Sequence, residues 1–146
     1  MNIQEFMQTF WGHSCYAWCL TKYFSAYTEE GIPKNFFLPK TELQLMSDSI
    51  LFGWKQGFID DDCYVSKPIE YIKLLVRKAP KDVTKVPIKE LSELPEGVWI
   101  VEYKKKPTDK DSHFVIANSK EVLFDPAGES QTVKVGKPFS YRKFIY

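Results

Sequence analysis

The sequence predicts an α+β fold, with helices in the N-terminal half packed on an antiparallel sheet from the C-terminal half. Before Pro80, apolar residues recur every three or four positions, which is the spacing of one helix face. After Pro80, short apolar runs alternate with turn-forming residues, as in antiparallel strands. Helices followed by strands are typical of α+β proteins. The length of 146 residues, without a repeat or an interdomain linker, predicts one domain over residues 1–146.

Three helices are predicted in the N-terminal half. Ser14 suits the N-cap of the first, whose apolar stripe repeats at helical intervals. The run Thr41-Glu-Leu-Gln44 is a capping-box pattern that opens the second, and Gly57 is a stop signal after it. The predicted ranges are Cys15 to Tyr27, Thr41 to Trp54, and Ser66 to the residue before Pro80. The buried stripe of the first helix comprises Tyr16, Leu20, Tyr23, Phe24 and Tyr27.

The C-terminal half is predicted to form a short helical turn, marked by Leu91 and Leu94, and then strands. The predicted strands are Val98–Tyr103, His113–Ala117 and Glu121–Asp125, with edge strands at Val133–Val135 and Tyr141–Tyr146. A hairpin centred on Ser119 places His113 directly opposite Asp125, where facing Cβ atoms are about 4.5–5.5 Å apart. The same register pairs Phe114 with Phe124, Val115 with Leu123, and Ile116 with Val122.

Charge and composition argue against several classes of function. The formal net charge of +1 gives no strong field for nucleic acid or an anionic membrane, and the Lys104–Lys106 run is typical of a solvated loop. No stretch approaches the ~20 apolar residues of a membrane span. Three cysteines form no complete disulfide framework, and Met1–Phe10 lacks the features of a signal peptide. We therefore expect a cytoplasmic protein with free thiols and no cofactor.

Cys15 is the strongest candidate for a nucleophile among the three cysteines. It begins a predicted helix, where free N–H groups and the helix dipole stabilise a thiolate. Cys19 lies one turn deeper, and Cys63 follows Asp60-Asp61-Asp62, whose charges would raise the pKa of its thiol. A lone helical cysteine is more often a small core residue, so the case for Cys15 depends on its partners.

His113 and Asp125 are the partners that the predicted hairpin supplies. An imidazole can take and return a proton near neutral pH, and a facing carboxylate holds it in one tautomer. The alternative interpretation is a structural hydrogen bond at a strand end. We predict that Cys15 is the nucleophile, His113 its base and Asp125 the residue that orients His113.

Two segments carry a resemblance to a known family. Gly12-His-Ser-Cys15-Tyr-Ala-Trp18 resembles the Gly-Ser-Cys-Trp-Ala-Phe nucleophile segment of papain-like cysteine peptidases. His113-Phe-Val-Ile and Asp125-Pro-Ala-Gly128 resemble the His-Phe-Val and Asp-Pro-Ala patterns of the bacteriocin-leader peptidases in that superfamily. The middle segment, residues 54–65, is similar to an uncharacterised family of spirochaete plasmids and prophages.

The resemblance implies a papain-like fold and a cysteine hydrolase that cleaves a peptide or amide bond. It also implies an oxyanion hole formed by a Gln side chain and the backbone N–H of the nucleophile. Gln8 is the candidate glutamine, although the family spacing is one residue shorter and falls on Thr9. His13 is a second possible donor.

Three alternatives compete with the hydrolase. A zinc site could draw on His13, Cys15, Cys19, Cys63 and His113, but their spacing is unusual for zinc. A calcium loop starting at Asp60 would need Gly and Glu where Val65 and Tyr71 stand, so that interpretation fails. The third alternative is a catalytically inactive papain-like binding module. The sequence does not indicate the substrate or the oligomeric state.

Overall fold

Helices cover one face of a five-stranded antiparallel sheet. The computed structural model describes residues 2, 5, 6, 9, 14–26 and 40–146. Helices concentrated in the N-terminal half, followed by an antiparallel sheet, confirm the predicted α+β class.

The first two helices begin and end close to the predicted positions, whereas the third is shorter than predicted at both ends. The helices are α1 (Cys15–Ala26), α2 (Lys40–Lys55), α3 (Pro68–Leu75) and α4 (Gln131–Val135), with a 3-10 turn at Leu91–Glu93. Gly57 has a φ of +82°, the left-handed conformation that commonly follows a helix end, as predicted after α2. The third helix begins at Pro68, later than the predicted Ser66, because the fixed φ of proline suits the first turn of a helix.

The sheet contains one strand that the sequence did not predict. The strands are β1 (Asp82–Pro87), β2 (Trp99–Lys104), β3 (His113–Ala117), β4 (Val122–Phe124) and β5 (Lys137–Ile145). Their order is β1-β5-β2-β3-β4, and every neighbouring pair is antiparallel. The unpredicted strand β1 carries few buried residues, so its pairing with β5 along its whole length, not an apolar pattern, defines it.

The two faces of the sheet bury different side chains. Along β2, Ile100 packs with the helices, whereas Val101 and Tyr103 pack on the opposite face. The predicted stripe of α1 is confirmed at Leu20, Tyr23 and Phe24, which are buried against this sheet face, and Tyr16 is half-buried. Tyr27 lies outside the described residues. The first turn of α1 packs on β3, where the ring of Tyr16 contacts that of Phe114.

The predicted edge strand at Val133–Val135 is wrong, because these residues belong to α4. The side chain of Ser130 accepts a hydrogen bond from Thr132 N and caps that helix. Ser130 is therefore the N-cap of this helix, and its capping hydrogen bond outweighs the β propensity of the two valines.

The predicted register of the β3–β4 hairpin is also wrong. Ala117 pairs with Val122 and Ile116 pairs with Phe124, with an irregularity between the two pairs. The turn is closed by a hydrogen bond from Asn118 N to Glu121 O, so its centre lies after Ser119 and not on it. The irregularity then shifts the register by one further residue, as a bulge does.

Within residues 14–26 and 40–146 and the four described positions before them, no helix is long and apolar enough to span a membrane.

Candidate functional site

The nucleophile candidate stands at the very start of a helix. Cys15 is the first residue of α1, and the backbone carbonyl of Ser14 accepts the first helical hydrogen bond from Trp18 N at 2.9 Å. Ser14 therefore occupies the N-cap position, as predicted. The thiol of Cys15 is free and partly accessible to solvent. Its place at the positive end of the helix dipole favours a negative charge on sulfur.

His113 is brought to Cys15 by the packing of α1 on β3. The ring of Tyr16, next to Cys15, lies 4.6 Å from the ring of Phe114, next to His113, measured between centroids. Cys15 lies close enough to His113 to act on its ring, because the neighbouring Cys15 raises the pKa of His113. Two residues that are far apart in sequence thus meet because their neighbours pack against each other.

Asp125 completes a line of three side chains. Its Oδ1 atom lies 2.6 Å from Nε2 of His113, although the predicted hairpin register that suggested this contact is wrong. The contact forms because Asp125 lies beyond the last pair of the ladder, in the turn after β4. Both side chains are largely shielded from water, with 13% of His113 and 7% of Asp125 exposed.

The turn that follows Asp125 holds its carboxylate in place. Oδ1 accepts a second hydrogen bond from Ala127 N at 2.9 Å, and Oδ2 accepts one from Ser130 N at 3.1 Å. Gly128, with a φ of +80°, lets the chain fold back after the strand. Because an ionised carboxylate only accepts, it accepts a hydrogen bond from Nε2–H of His113 and leaves Nδ1 as the ring nitrogen available to Cys15.

The surroundings of His113 favour its protonated form. Burial alone would lower its pKa, but the hydrogen bonds and charges of Cys15 and Asp125 outweigh burial and raise the pKa above the ordinary 6.5. An imidazole that favours its protonated form, next to a thiol, is the arrangement that cysteine hydrolases use to attack a carbonyl carbon.

The other two cysteines lie in environments that suppress a thiolate. Burial, with a smaller effect of Cys15 and Asp125, raises the pKa of Cys19 well above its ordinary value. Burial also raises the pKa of Cys63 to about 12, with a further effect from Asp60. The predicted direction for Cys63 is confirmed, although its burial contributes more than the acidic neighbours do.

The acidic run beside Cys63 has a structural role in its own loop. Oδ1 of Asp60 accepts hydrogen bonds from the backbone N–H groups of Asp62 and Tyr64, and Oδ1 of Asp61 accepts one from Trp54 Nε1. All three aspartates are exposed, as expected of a solvated turn. In the part of the chain that the structure describes, no three His, Cys, Asp or Glu side chains converge on a metal position.

The predicted oxyanion donors Gln8 and His13 lie outside the described residues. Thr9, at the family spacing, is described, and its hydroxyl donates to the backbone carbonyl of Glu5 at 3.2 Å. Phe6 is completely buried and stacks on Trp54 with ring centroids 4.5 Å apart. Phe6 thus packs on α2 through Trp54.

The sequence did not predict a polar cluster that is formed around Glu102 by Ser140, Arg142 and Lys85. Glu102 on β2 is buried and accepts a hydrogen bond from the hydroxyl of Ser140 at 2.7 Å. The guanidinium of Arg142 lies 3.4 Å from the same carboxylate oxygen, and the Lys85 ammonium lies 3.1 Å from it. The lone carboxylate inside the apolar strand Trp-Ile-Val-Glu-Tyr is the sequence feature that could have indicated this cluster.

The cluster holds Glu102 in its ionised form. Burial opposes ionisation, but the neighbouring donors and cations outweigh it and lower the pKa of Glu102 from 4.5 to about 2. The groups responsible, in decreasing order of effect, are Ser140, Ser112, Lys85 and Arg142.

Comparison with protein families matches residues 3–146 to the family described as Protein of unknown function, DUF261, and the chain therefore belongs to this family. Searches of curated proteins and of solved structures gave no match.

Proposed function

We propose that this DUF261 protein is a cysteine hydrolase of papain-like fold that cleaves a peptide or amide bond. The observation that carries the proposal is the line formed by Cys15, His113 and Asp125, with the thiol at a helix start and the carboxylate fixed behind the imidazole. The same order of Cys, His and Asp along the chain, and the resemblance of the segments that hold them, support the papain-like assignment.

The chemistry begins with the proton on His113. The thiolate of Cys15 attacks the carbonyl carbon of the substrate, and the carbonyl oxygen becomes an oxyanion in a tetrahedral intermediate. The backbone N–H of Cys15 and, by the resemblance, the side chain of Gln8 would stabilise that oxyanion. His113 then gives its proton to the leaving amine, and the C–N bond breaks to leave a thioester on Cys15.

The second half of the cycle regenerates the thiolate. His113, now neutral, takes a proton from a water molecule as the water attacks the thioester carbon. The C–S bond breaks, a carboxylic acid leaves, and the proton returns the site to its starting ion pair. Asp125 takes no part in bond changes but stabilises the imidazolium and keeps Nδ1 directed at the sulfur.

The test measures the labelling rate of each cysteine by iodoacetamide between pH 4 and 9, with the three sites read separately by mass spectrometry. We expect Cys15 to react at pH ~6, where an ordinary thiol is almost entirely protonated, and to react about tenfold to a hundredfold faster than Cys19 or Cys63. His113→Ala should abolish this advantage, because the imidazolium that stabilises the thiolate is gone.

Lys110→Ala serves as the matched control, because Lys110 is exposed and lies in the loop before β3, outside the site. Its labelling profile should equal that of the unaltered protein. If Cys15 reacts only above pH ~8.5, or no faster than Cys63, the activated nucleophile does not exist and the inactive binding module replaces the hydrolase.

A further inference from the structure

One guanidinium group contacts both the residue next to the nucleophile and the residue next to the base. The Cζ atom of Arg142 lies 5.0 Å from the ring centroid of Phe114 and 5.7 Å from that of Tyr16. Tyr16 follows Cys15 and Phe114 follows His113 in the chain. Arg142 is thus in contact with the residue adjacent to each of the two reacting groups, and it approaches from a third element, β5.

The side chains of Ser140 and Glu102 hold Arg142 in position. Its Nη1 atom donates to the Ser140 hydroxyl at 2.8 Å and lies 3.4 Å from Oε1 of Glu102. Only 15% of the Arg142 side chain and 5% of the Glu102 side chain are exposed, so these bonds are formed away from bulk water. A shielded, charge-assisted hydrogen bond is stronger than the same pair on the surface.

The same guanidinium also contacts the helix that carries Cys15, through the ring of Tyr16. Burial raises the pKa of the Tyr16 phenol to about 12 against the opposing effect of Arg142, so Tyr16 remains neutral in this contact. A planar guanidinium can stack on aromatic rings and donate in its plane together, whereas an ammonium cannot. The contacts with Tyr16 and Phe114 therefore depend on arginine in particular.

We propose that Arg142 is a positioning residue that clamps Tyr16 to Phe114 and so sets the distance between Cys15 and His113. This inference rests on the proposed function, since it assumes that Cys15 and His113 act as a pair. Arg142 does not touch the reacting atoms. Glu102 and Ser140 hold the clamp in place, and the buried carboxylate balances the charge of the guanidinium.

The experiment compares Arg142→Met, Arg142→Lys and Tyr16→Phe with the unaltered protein. The first readout is the titration midpoint of the His113 ring by NMR, with its signal assigned from the spectrum of His113→Gln. The second is the rate at which iodoacetamide labels Cys15 at pH 6. Arg77→Met is the matched control, because Arg77 is exposed and lies away from the site.

We expect Arg142→Met and Arg142→Lys to lower the His113 midpoint towards 6.5 and to slow Cys15 labelling by about tenfold or more, because small displacements of paired reacting groups are costly. The direction of the change in the His113 midpoint distinguishes a loss of positioning from a loss of charge. Removal of a nearby cation would by itself raise the His113 midpoint, and Arg142→Lys keeps the cation. Tyr16→Phe removes the phenol hydroxyl but keeps the ring that Arg142 contacts, so it should slow Cys15 labelling less than either Arg142 variant does.

Two results overturn different statements. Fast Cys15 labelling in the unaltered protein, with the same rate and the same His113 midpoint in both Arg142 variants, would overturn the clamp and leave the hydrolase intact. Slow Cys15 labelling in the unaltered protein would overturn the proposed function, while the His113 midpoint still reports whether Arg142 holds the contact. Arg142→Lys keeps a partner for Glu102, so the test remains decisive if Arg142→Met fails to fold.

Discussion

The first turn of α1 and the loop after α2 each hold a cysteine, and the two side chains have different surroundings. Cys15 stands at a helix start beside an imidazole that is biased towards its charged form. Cys63 is buried at 1% exposure, in the left-handed conformation with a φ of 65°, near the carboxylate of Asp60. We therefore expect the two thiols to differ in reactivity because of what surrounds each sulfur, although the residue type is the same.

The difference also shows why burial alone does not identify a site. His113 and Cys63 are both shielded from water, and burial acts on each to disfavour its charged form. At His113, specific partners reverse the effect of burial, whereas at Cys63 the nearest charges add to it. A buried ionisable group indicates function when its partners stabilise the charge that burial opposes.

The largest expected effect comes from removing the Asp125 carboxylate, which holds His113 beside Cys15. Asp125→Asn should slow Cys15 labelling at pH 6 by about 10- to 100-fold, because an opposite charge beside a titrating group shifts its pKa by about 1–3 units. An amide cannot accept from His113, Ala127 and Ser130 together, since one of its two polar atoms is a donor. Circular dichroism should show that the fold is kept.

An unchanged Cys15 rate in Asp125→Asn would mean that the hydrogen bond to His113 is structural only. The matched control is Asp109→Asn, in which the altered carboxylate accepts from Lys106 N in an exposed loop. This control should label as the unaltered protein does.

A second, smaller effect is expected on the stability of the fold when Cys63 is replaced. Cys63→Ser places a hydroxyl in a site that is packed against the apolar core, and it should lower the free energy of unfolding by about 1–3 kcal/mol. The rate of Cys15 labelling should not change, since Cys63 takes no part in the proposed chemistry. Urea unfolding and the labelling assay on the same sample measure both quantities. A loss of Cys15 reactivity without a loss of stability would contradict the separation of the two thiols.

The smallest expected effect is a pH dependence of stability that originates at His113. The folded protein holds the proton on His113 more tightly than the unfolded chain does, because its pKa is raised above 6.5. The resulting stabilisation is complete below pH ~6.5 and is lost as the pH rises through the folded pKa. The titratable side chains that act on the ring are Cys15 from α1 and Asp125 after β4.

Urea unfolding of the unaltered protein and of His113→Gln at pH 5, 7 and 9 measures this dependence. The stability advantage of the unaltered protein should be greatest at pH 5 and should shrink towards pH 9. An advantage that grows with pH would show that His113 is held neutral in the fold, and the ion pair with Cys15 would then be wrong.

Local signals in the sequence are sufficient for the elements that present the two reacting groups. Ser14 caps a helix that starts at Cys15, and β3 starts at His113 as predicted. Capping and hydrophobic spacing act over a few residues, so they can be recognised without knowledge of the fold. The contact of His113 with Asp125 was predicted for a reason that proved wrong, since the turn after β4 and not the hairpin register creates it.

The sequence by itself determined the α+β class and the helix start at Cys15, because both depend on neighbours along the chain. It also predicted the candidate trio, but the packing of α1 on β3 and the turn after β4 bring those three residues together. Only the tertiary structure decided that β5 lies between β1 and β2, since pairing between distant strands depends on the whole sheet. That placement carries Arg142 and Ser140 to Glu102 and to the rings beside Cys15 and His113. No local pattern encodes this meeting, because its residues come from four separate elements.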